Sequence, residues 1–329
     1  MSGFWNSLRA ELWAMGRRRN LRVTAVLIVA AVFARMLWAW LALGLSTGGM
    51  DDLASNHYNF WPRFGQALGF GFTIVELAVL VIIGGALPRE IRLGAVRDPL
   101  CRGISRSSFV LSRVLCAAIL PLMLSLVAVV AAASAGAIFF DAGHVVTDPV
   151  MLDPDPEGQQ AFRAWLEEND LRADQVAVEL DNDSDFLIPD QYYPFVPILI
   201  ATEEDISGGI IAALWQALLP LVVLGLFAFM VSLLLPTGAL ASGLALGAVL
   251  VFGVFLAPEL GDRAWWCFAD WLPGMGSDSS LKLATHYSDG FSDVPPLPDR
   301  AFVAARLGNF AAVGVFVSIT LWCFHRKRI

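Results

Sequence analysis

The stretch Leu87–Arg113, LPREIRLGAVRDPLCRGISRSSFVLSR, decides how this chain is organised, because it lies between two long apolar runs and carries six arginines. Charges of both signs follow the second apolar run directly, and Gly94 and Pro99 are expected to end the short helix that bears them. The run Ser105–Ser107 offers an N-cap for the helix that enters the next apolar run. We interpret the stretch as a short cytoplasmic helical hairpin, with a solvated connector as the alternative.

The composition assigns the whole chain to the membrane proteins. Its 329 residues are 57% hydrophobic and 16% charged, with a mean hydropathy of +0.64. Soluble domains average about 45–50% apolar and about 25% charged residues. The apolar residues form runs of about twenty, long enough to cross the hydrocarbon core as helices. We therefore predict an all-α polytopic membrane protein with six transmembrane helices. The predicted spans are 23–45, 67–87, 114–140, 209–235, 238–256 and 302–324, with Pro88 ending the second.

Three segments outside these spans differ from them in composition: 1–22, 141–207 and 258–300. Together with the spans they define the predicted domains. Residues 1–22 form an amphipathic segment, which we interpret as an interfacial helix at 3–20 or as an ordinary basic flank. Spans one to three, with the loop 88–113, occupy 23–140, and spans four to six occupy 208–329.

The hydrophilic segment 141–207 holds seventeen acidic residues and two arginines, a formal charge of −15. Within it we predict a helix at 157–169 and a short strand in the sequence VAVEL. The segment 258–300 is rich in tryptophan and proline, which is typical of interfacial or re-entrant helices at the outer surface.

The charges also predict the orientation. The N-terminus, the 88–113 loop and the C-terminus are basic, whereas the 141–207 insert is acidic. Basic loops stay in the cytoplasm. Six spans with both termini cytoplasmic satisfy this rule at every loop, and they place the acidic insert outside. The charge asymmetry is thus explained by topology, and we expect no nucleic-acid partner.

The sequence lacks the motifs of several common nucleotide-binding, metal-binding and catalytic sites. It contains no G-x-x-x-x-G-K-[ST] for a nucleotide, no H-E-x-x-H for zinc and no G-x-S-x-G nucleophile elbow. The D-x-D-x-D at 181–185 resembles a calcium loop, but Phe186 and Tyr192 replace its glycine and its final glutamate. We interpret it as an acidic solvated turn, with a weak divalent-cation site as the alternative. We therefore expect no catalytic residue, no metal site and no cofactor bound by this chain.

Two charged residues fall near the middle of predicted spans. Arg35 in the first span and Glu76 in the second lie at similar depth, roughly 16–18 Å from the cytoplasmic boundary. Because each charge alone is costly in lipid, we predict a midplane ion pair between them. Its role is either a structural staple between the two spans or a substrate or gating site.

Small residues mark one face of the fifth span. Gly243 and Gly247 form a G-x-x-x-G, a pattern that lets two helix backbones approach closely. We predict a helix–helix contact on this face, either within one chain or across a dimer.

The opening stretch also carries a family resemblance. Glu90-x-x-x-Gly94, followed by Leu100 and by Gly103-Ile104-Ser105-Arg106-x-x-Phe109-x-Leu111-x-Arg113, resembles the permease subunits of type-2 ATP-binding-cassette (ABC) transporters. The amphipathic helix at the N-terminus resembles their elbow helix. The run from Pro258-Glu259-Leu260 to Trp271-Leu272-Pro273 resembles their aromatic re-entrant segment.

The resemblance implies a transport function. The chain would be a bacterial inner-membrane permease that assembles with a second permease, identical or paralogous, and with two ABC ATPase subunits that hold ATP and Mg²⁺. The 88–113 segment would be the coupling helix; the residues expected to couple to the ATPase are Glu90, Arg92, Gly94, Arg97, Arg102 and Arg106. Membrane lipid is a further expected partner. The alternative is a non-transporting permease-like scaffold whose acidic outer insert, 141–207, recruits an envelope partner.

Overall fold

The computed structural model describes residues 2–46, 59–93, 105–146, 156–181, 188–196, 199–260, 266–276, 279–288 and 299–326. Its helices are α1 (Ser2–Arg17), α2 (Arg19–Ser46), α3 (Phe60–Arg92), α4 (Arg106–Phe139), α5 (Pro156–Glu168), α6 (Ala173–Asp181), α7 (Glu203–Leu234), α8 (Gly238–Leu250), α9 (Ala257–Leu260), α10 (Ser280–Ser288) and α11 (Asp299–Arg326). A π-helical turn, Val251–Leu256, joins α8 to α9, and a 3-10 helix spans Asp190–Phe195.

Six of these helices are long and apolar enough to cross a membrane, as the sequence predicts. They are α2, α3, α4, α7, α8 with its π-helical extension, and α11. Helices α3, α4 and α7 have 33, 34 and 32 residues. The chain is therefore an all-α, multi-pass membrane protein. Helices α3, α4 and α7 form the centre of the bundle, and the largest cluster of buried apolar side chains lies between them and their neighbours.

Pro88 does not end the second span, contrary to the sequence prediction. It lies inside α3, where it is buried, and the helix continues to Arg92. Proline costs about 3 kcal/mol in a helix interior, so packing must offset that cost. Leu87 is 1% exposed, and Glu90 in the following turn forms two ion pairs. These contacts hold the turn after Pro88 in helical form.

One end of the bundle, which we call the basic end, gathers the chain segments predicted to be cytoplasmic. The ring of Phe109 at the start of α4 lies 6.0 Å from that of Phe324 near the C-terminus. The tight turn between α7 and α8 is at the same end, since a Cβ added to Gly238 would lie 3.0 Å from the Cα of Gly85. Helix α1 also packs there, against α4 and α2.

The opposite end carries the hydrophilic insert, attached through Asn59 and a two-stranded ribbon. Asn59 caps α3 and donates through Nδ2 to the carbonyls of Gly143 and His144 at 2.8 and 3.1 Å. Strand β1 (Val145–Val146) pairs antiparallel with β2 (Leu199–Ala201), immediately before α7. The insert thus begins and ends at the same end of the bundle.

The insert has a small apolar core of its own. Phe162 and Leu166 of α5, Val176 of α6 and Phe195 pack together in it. The helix predicted at 157–169 is present as α5. The predicted VAVEL strand is wrong: residues 176–180 lie in α6, where Ala173, Val176 and Ala177 are buried at the i, i+3, i+4 spacing of a helix.

Candidate functional site

A chain of three ion pairs joins α1, α3 and α4 at the basic end. The Glu90 carboxylate accepts a hydrogen bond from Nη2 of Arg18 at 2.7 Å and also pairs with Arg113. Arg113 in turn reaches Glu11, with 2.8 Å between Nη2 and Oε1. The side chains of Glu11, Glu90 and Arg113 are only 14–15% exposed, so solvent screens them less than surface pairs. We call these four residues the basic-end network.

Local sequence places each member of this network. Glu90 is in the last turn of α3, which exists because the helix continues past Pro88. Arg113 lies two turns into α4, whose N-cap is Ser105, the first residue of the run predicted to cap this helix. Helix α1 is fixed against α4 by a second contact, since the buried hydroxyls of Ser7 and Ser112 are 3.0 Å apart. The amphipathic N-terminal helix is therefore joined to the bundle by polar as well as apolar contacts.

The predicted coupling residues fall into two groups. Glu90 and Arg92 end α3, and Arg106 begins α4, so these three flank the loop between the two helices. Arg92 and Arg106 are exposed, whereas Glu90 is engaged in the basic-end network. Gly94, Arg97 and Arg102 lie outside the described residues. Glu90 and Arg92 belong to the span helix itself; the prediction of a separate short helix beginning after Pro88 is wrong for this part.

A cavity of about 560 Å³ lies beside the basic-end network. Its walls come from the first turn of α2, the last three turns of α3 and the first half of α4, with Phe229 of α7 at its inner side. The network residues line it together with two further arginines, Arg19 and Arg89. The cavity therefore combines a cationic margin with an apolar interior, in the size range of small-molecule pockets.

The structure corrects the predicted ion pair between Arg35 and Glu76. Glu76 is fully buried, and its two carboxylate oxygens accept the backbone N–H groups of Gly274 and Met275 at 2.7 and 2.8 Å. Neither of the two charged residues takes part in an ion pair in the described part of the chain, and Arg35 is half-buried. The sequence could not place 274–275 beside α3, because about 200 residues separate them.

Glu76 therefore holds a re-entrant segment, residues 266–276, at the middle of the bundle. It stands sixteen residues from either end of α3, about 24 Å from each. The segment is irregular, yet Ala269, Asp270 and Leu272 within it are buried by the surrounding helices. Irregular backbone at membrane depth requires such cover.

Gly274 is a further site residue that the sequence did not reveal. A Cβ on this glycine would lie 2.3 Å from the backbone nitrogen of Thr73, so the segment touches the α3 backbone directly. On the other side of the segment, Cys267 Sγ lies 3.8 Å from the Phe252 carbonyl in the π-helical turn. Only glycine permits the approach that brings the two amides to Glu76. The one local signal was the Pro-Gly pair at 273–274, which is typical of a turn but does not indicate what the turn contacts.

Gly243 and Gly247 make no helix contact within the described part of the chain. A Cβ added to either residue would meet nothing within 4 Å. The face of α8 that packs on the bundle instead carries Ala241, Ala245 and Val249, all buried. The described residues therefore supply no contact within one chain, and a contact across a dimer stays a prediction.

Comparisons with known proteins give no assignment. The chain matches no family model, and no curated protein is similar to it. The geometry gives no metal site either: among the described residues, no three His, Cys, Asp or Glu side chains lie close enough together to bind a metal ion. Function has to be inferred from the arrangement of the helices and their charged residues.

Proposed function

We propose that this chain is the transmembrane permease subunit of an ABC transporter, coupled to a separate ATPase at its basic end. The observation that carries the proposal is the basic-end network. The helices on either side of the 93–105 connection are tied to each other through Glu90 and Arg113, to α1 through Glu11, and to the junction of α1 and α2 through Arg18. A force applied to that connection would move α1, α3 and α4 together.

Helix α3 offers a direct mechanical path from this end to the centre of the bundle. It is continuous from Phe60 to Arg92 and carries Glu76 at its midpoint. Because an α-helix is stiff over 33 residues, a tilt imposed at Arg92 would be felt about 24 Å away at Glu76. There it would act on the re-entrant segment through the bonds to Gly274 and Met275. In this mechanism the ATPase repositions the segment without contacting it.

The proposal includes a second permease, identical or paralogous. Helix α8 supports this part, because its Gly243 and Gly247 face has no neighbour in the described chain. Small residues at a four-residue spacing favour close contact between membrane helices. ATP and Mg²⁺ would bind to the ATPase subunits, and the assembly would reside in a bacterial inner membrane with both termini of this chain in the cytoplasm.

The test is capture of an ATPase and its control by this chain. The full-length chain, tagged and purified from its own membrane, should retain a P-loop ATPase, and reconstitution in vesicles should change the rate of ATP hydrolysis. Reversing the charge of the exposed Arg92 and Arg106 should weaken that complex, because both flank the proposed docking loop.

A matched control is available at the same end of the bundle. Arg9 and Arg326 are also exposed but lie on α1 and α11, not on the two helices that flank the 93–105 connection. Their double reversal, Arg9→Glu with Arg326→Glu, should leave the complex intact. Equal loss in both double variants, or no P-loop ATPase in the purified material, would defeat the proposal.

The acidic insert favours a second candidate, a scaffold for an envelope partner. The insert has its own packed core, and Glu157, Glu167, Glu168 and Asp170 are exposed on it. Such a surface suits a basic partner. Deleting 147–198 while keeping the β1 and β2 strands separates the two candidates: a permease keeps its ATPase coupling, whereas a scaffold loses its envelope partner and with it its function.

A further inference from the structure

The cavity at the basic end is lined by positive charges that take no part in the basic-end network. Four arginines and two glutamates line it: Arg18, Arg19, Arg89, Arg113, Glu11 and Glu90. The lining therefore carries a formal charge of +2. Arg18 and Arg113 are occupied by the two glutamates, whereas Arg19 and Arg89 are exposed and pair with no carboxylate in the described part of the chain.

The same margin includes the beginning of a long helix. Arg19, Asn20 and Leu21 form the first turn of α2, and all three line the cavity. The N-terminus of a 28-residue helix carries a partial positive charge. Beside it on the same margin stand two guanidinium groups that pair with no carboxylate in the described part of the chain. Such a margin favours an anion with several acceptor oxygens.

The interior of the cavity is apolar. Val81, Ile82 and Ile83 of α3, Leu120 of α4 and Phe229 of α7 line it. A soluble anion would leave this wall in contact with water. An amphiphile with an anionic head would fill both parts, and the membrane supplies such molecules at the end of the spans where the arginines stand.

We propose that this cavity binds the phosphate headgroup of an anionic phospholipid, with Arg19 and Arg89 holding the phosphate and an acyl chain covering the apolar wall. The occupied site would join α2, α3 and α4 through one ligand beside the basic-end network. The lipid would thereby stabilise the geometry of the helix ends. This binding site is independent of whether an ATPase couples to the chain.

The test measures lipid retention by the full-length protein purified in detergent, using native mass spectrometry. Phosphatidylglycerol and phosphatidylcholine with identical acyl chains are added in turn. One phosphatidylglycerol should bind in preference to phosphatidylcholine. Arg19→Gln with Arg89→Gln should weaken its binding by at least about tenfold, since hydrogen bonds to charged groups are lost. Arg9→Gln with Arg326→Gln removes the same charge from exposed positions outside the cavity and should change binding less than twofold.

Competition with inorganic phosphate distinguishes the source of the anion. If phosphate at millimolar concentration binds as well as the lipid and displaces it, a soluble phosphate compound is the occupant and the lipid proposal is wrong. Equal retention of both lipids, or equal loss in the two double variants, also overturns it. Arg89→Gln alone alters one exposed side chain, and it serves as the test if the double variant does not fold.

Discussion

The hydrogen bonds of Glu76 to the re-entrant segment lead to a quantitative prediction for the variant Glu76→Ala. The change leaves the N–H groups of Gly274 and Met275 without their partners in a partly buried site. Each buried donor left unsatisfied costs about 1–3 kcal/mol. At the lower limit the two together cost about 2 kcal/mol, which raises the population of the detached segment roughly 30-fold.

Cys267 reports this detachment, because it belongs to the segment and is 5% exposed. The assay uses a chain in which Cys101, Cys116 and Cys323 are replaced by alanine, so that N-ethylmaleimide labels only this thiol. When opening and closing are fast, the labelling rate follows the population of the open state. In detergent, Glu76→Ala should label roughly 30 times faster than the parent chain or more. Glu76→Gln keeps one acceptor oxygen and should fall between them.

Glu259→Ala provides the control, since Glu259 is an exposed acid on α9, close in sequence to the segment. It should label at the parent rate. If Glu76→Ala labels no faster than Glu259→Ala, Glu76 does not hold the segment, and the proposed path from Arg92 to the centre of the bundle loses its final step.

Three further predictions concern other parts of the structure. Gly247→Leu should leave the thermal stability of the monomer unchanged but abolish dimer cross-linking, whereas Gly225→Leu should unfold the chain, because a Cβ there would lie 2.1 Å from a main-chain oxygen. Asn59→Ala should lower the free energy of unfolding by about 1–3 kcal/mol and speed limited proteolysis of the insert. The carbonyls of Gly143 and His144 would lose their donor, and the Trp61 N–H would lose the side-chain oxygen that caps α3. Unchanged cleavage would mean that the insert is held elsewhere. Arg113→Gln should lower the midpoint of thermal unfolding clearly more than Arg9→Gln, since it leaves the partly buried Glu11 carboxylate unpaired and removes one of the two partners of Glu90. Equal midpoints would show that the basic-end network adds no stability.

Much of the architecture was predictable because hydrophobic runs and charge bias are local properties. The six spans, the N-cap at Ser105 and the helix at 157–169 all follow from patterns within about thirty residues. The predictions that Pro88 ends the second span and that VAVEL forms a strand were wrong for the same reason. Packing against distant elements overrode a local preference in both cases.

The sites were less predictable than the spans. Sequence alone identified Glu76 as a buried charge in need of a partner, because an uncompensated charge in lipid is costly. It also identified the stretch after Leu87 as the charged junction between two spans. The partners of Glu76 could not be predicted in this way. They are the backbone N–H groups of Gly274 and Met275, and backbone groups leave no pattern in the residue types.

The same division holds at the basic end. Glu90, Arg113 and the arginines of the N-terminal segment could be assigned to one side of a six-span bundle from their positions in the sequence, because each lies in a basic flank of an apolar run. Their completion into a network by Glu11 and Arg18, and the cavity lined by Arg19 and Arg89, became apparent only in the folded bundle. The physical reason is that hydrophobicity fixes the depth of each residue along its own helix, whereas side-chain partners depend on how the helices are rotated and packed against one another.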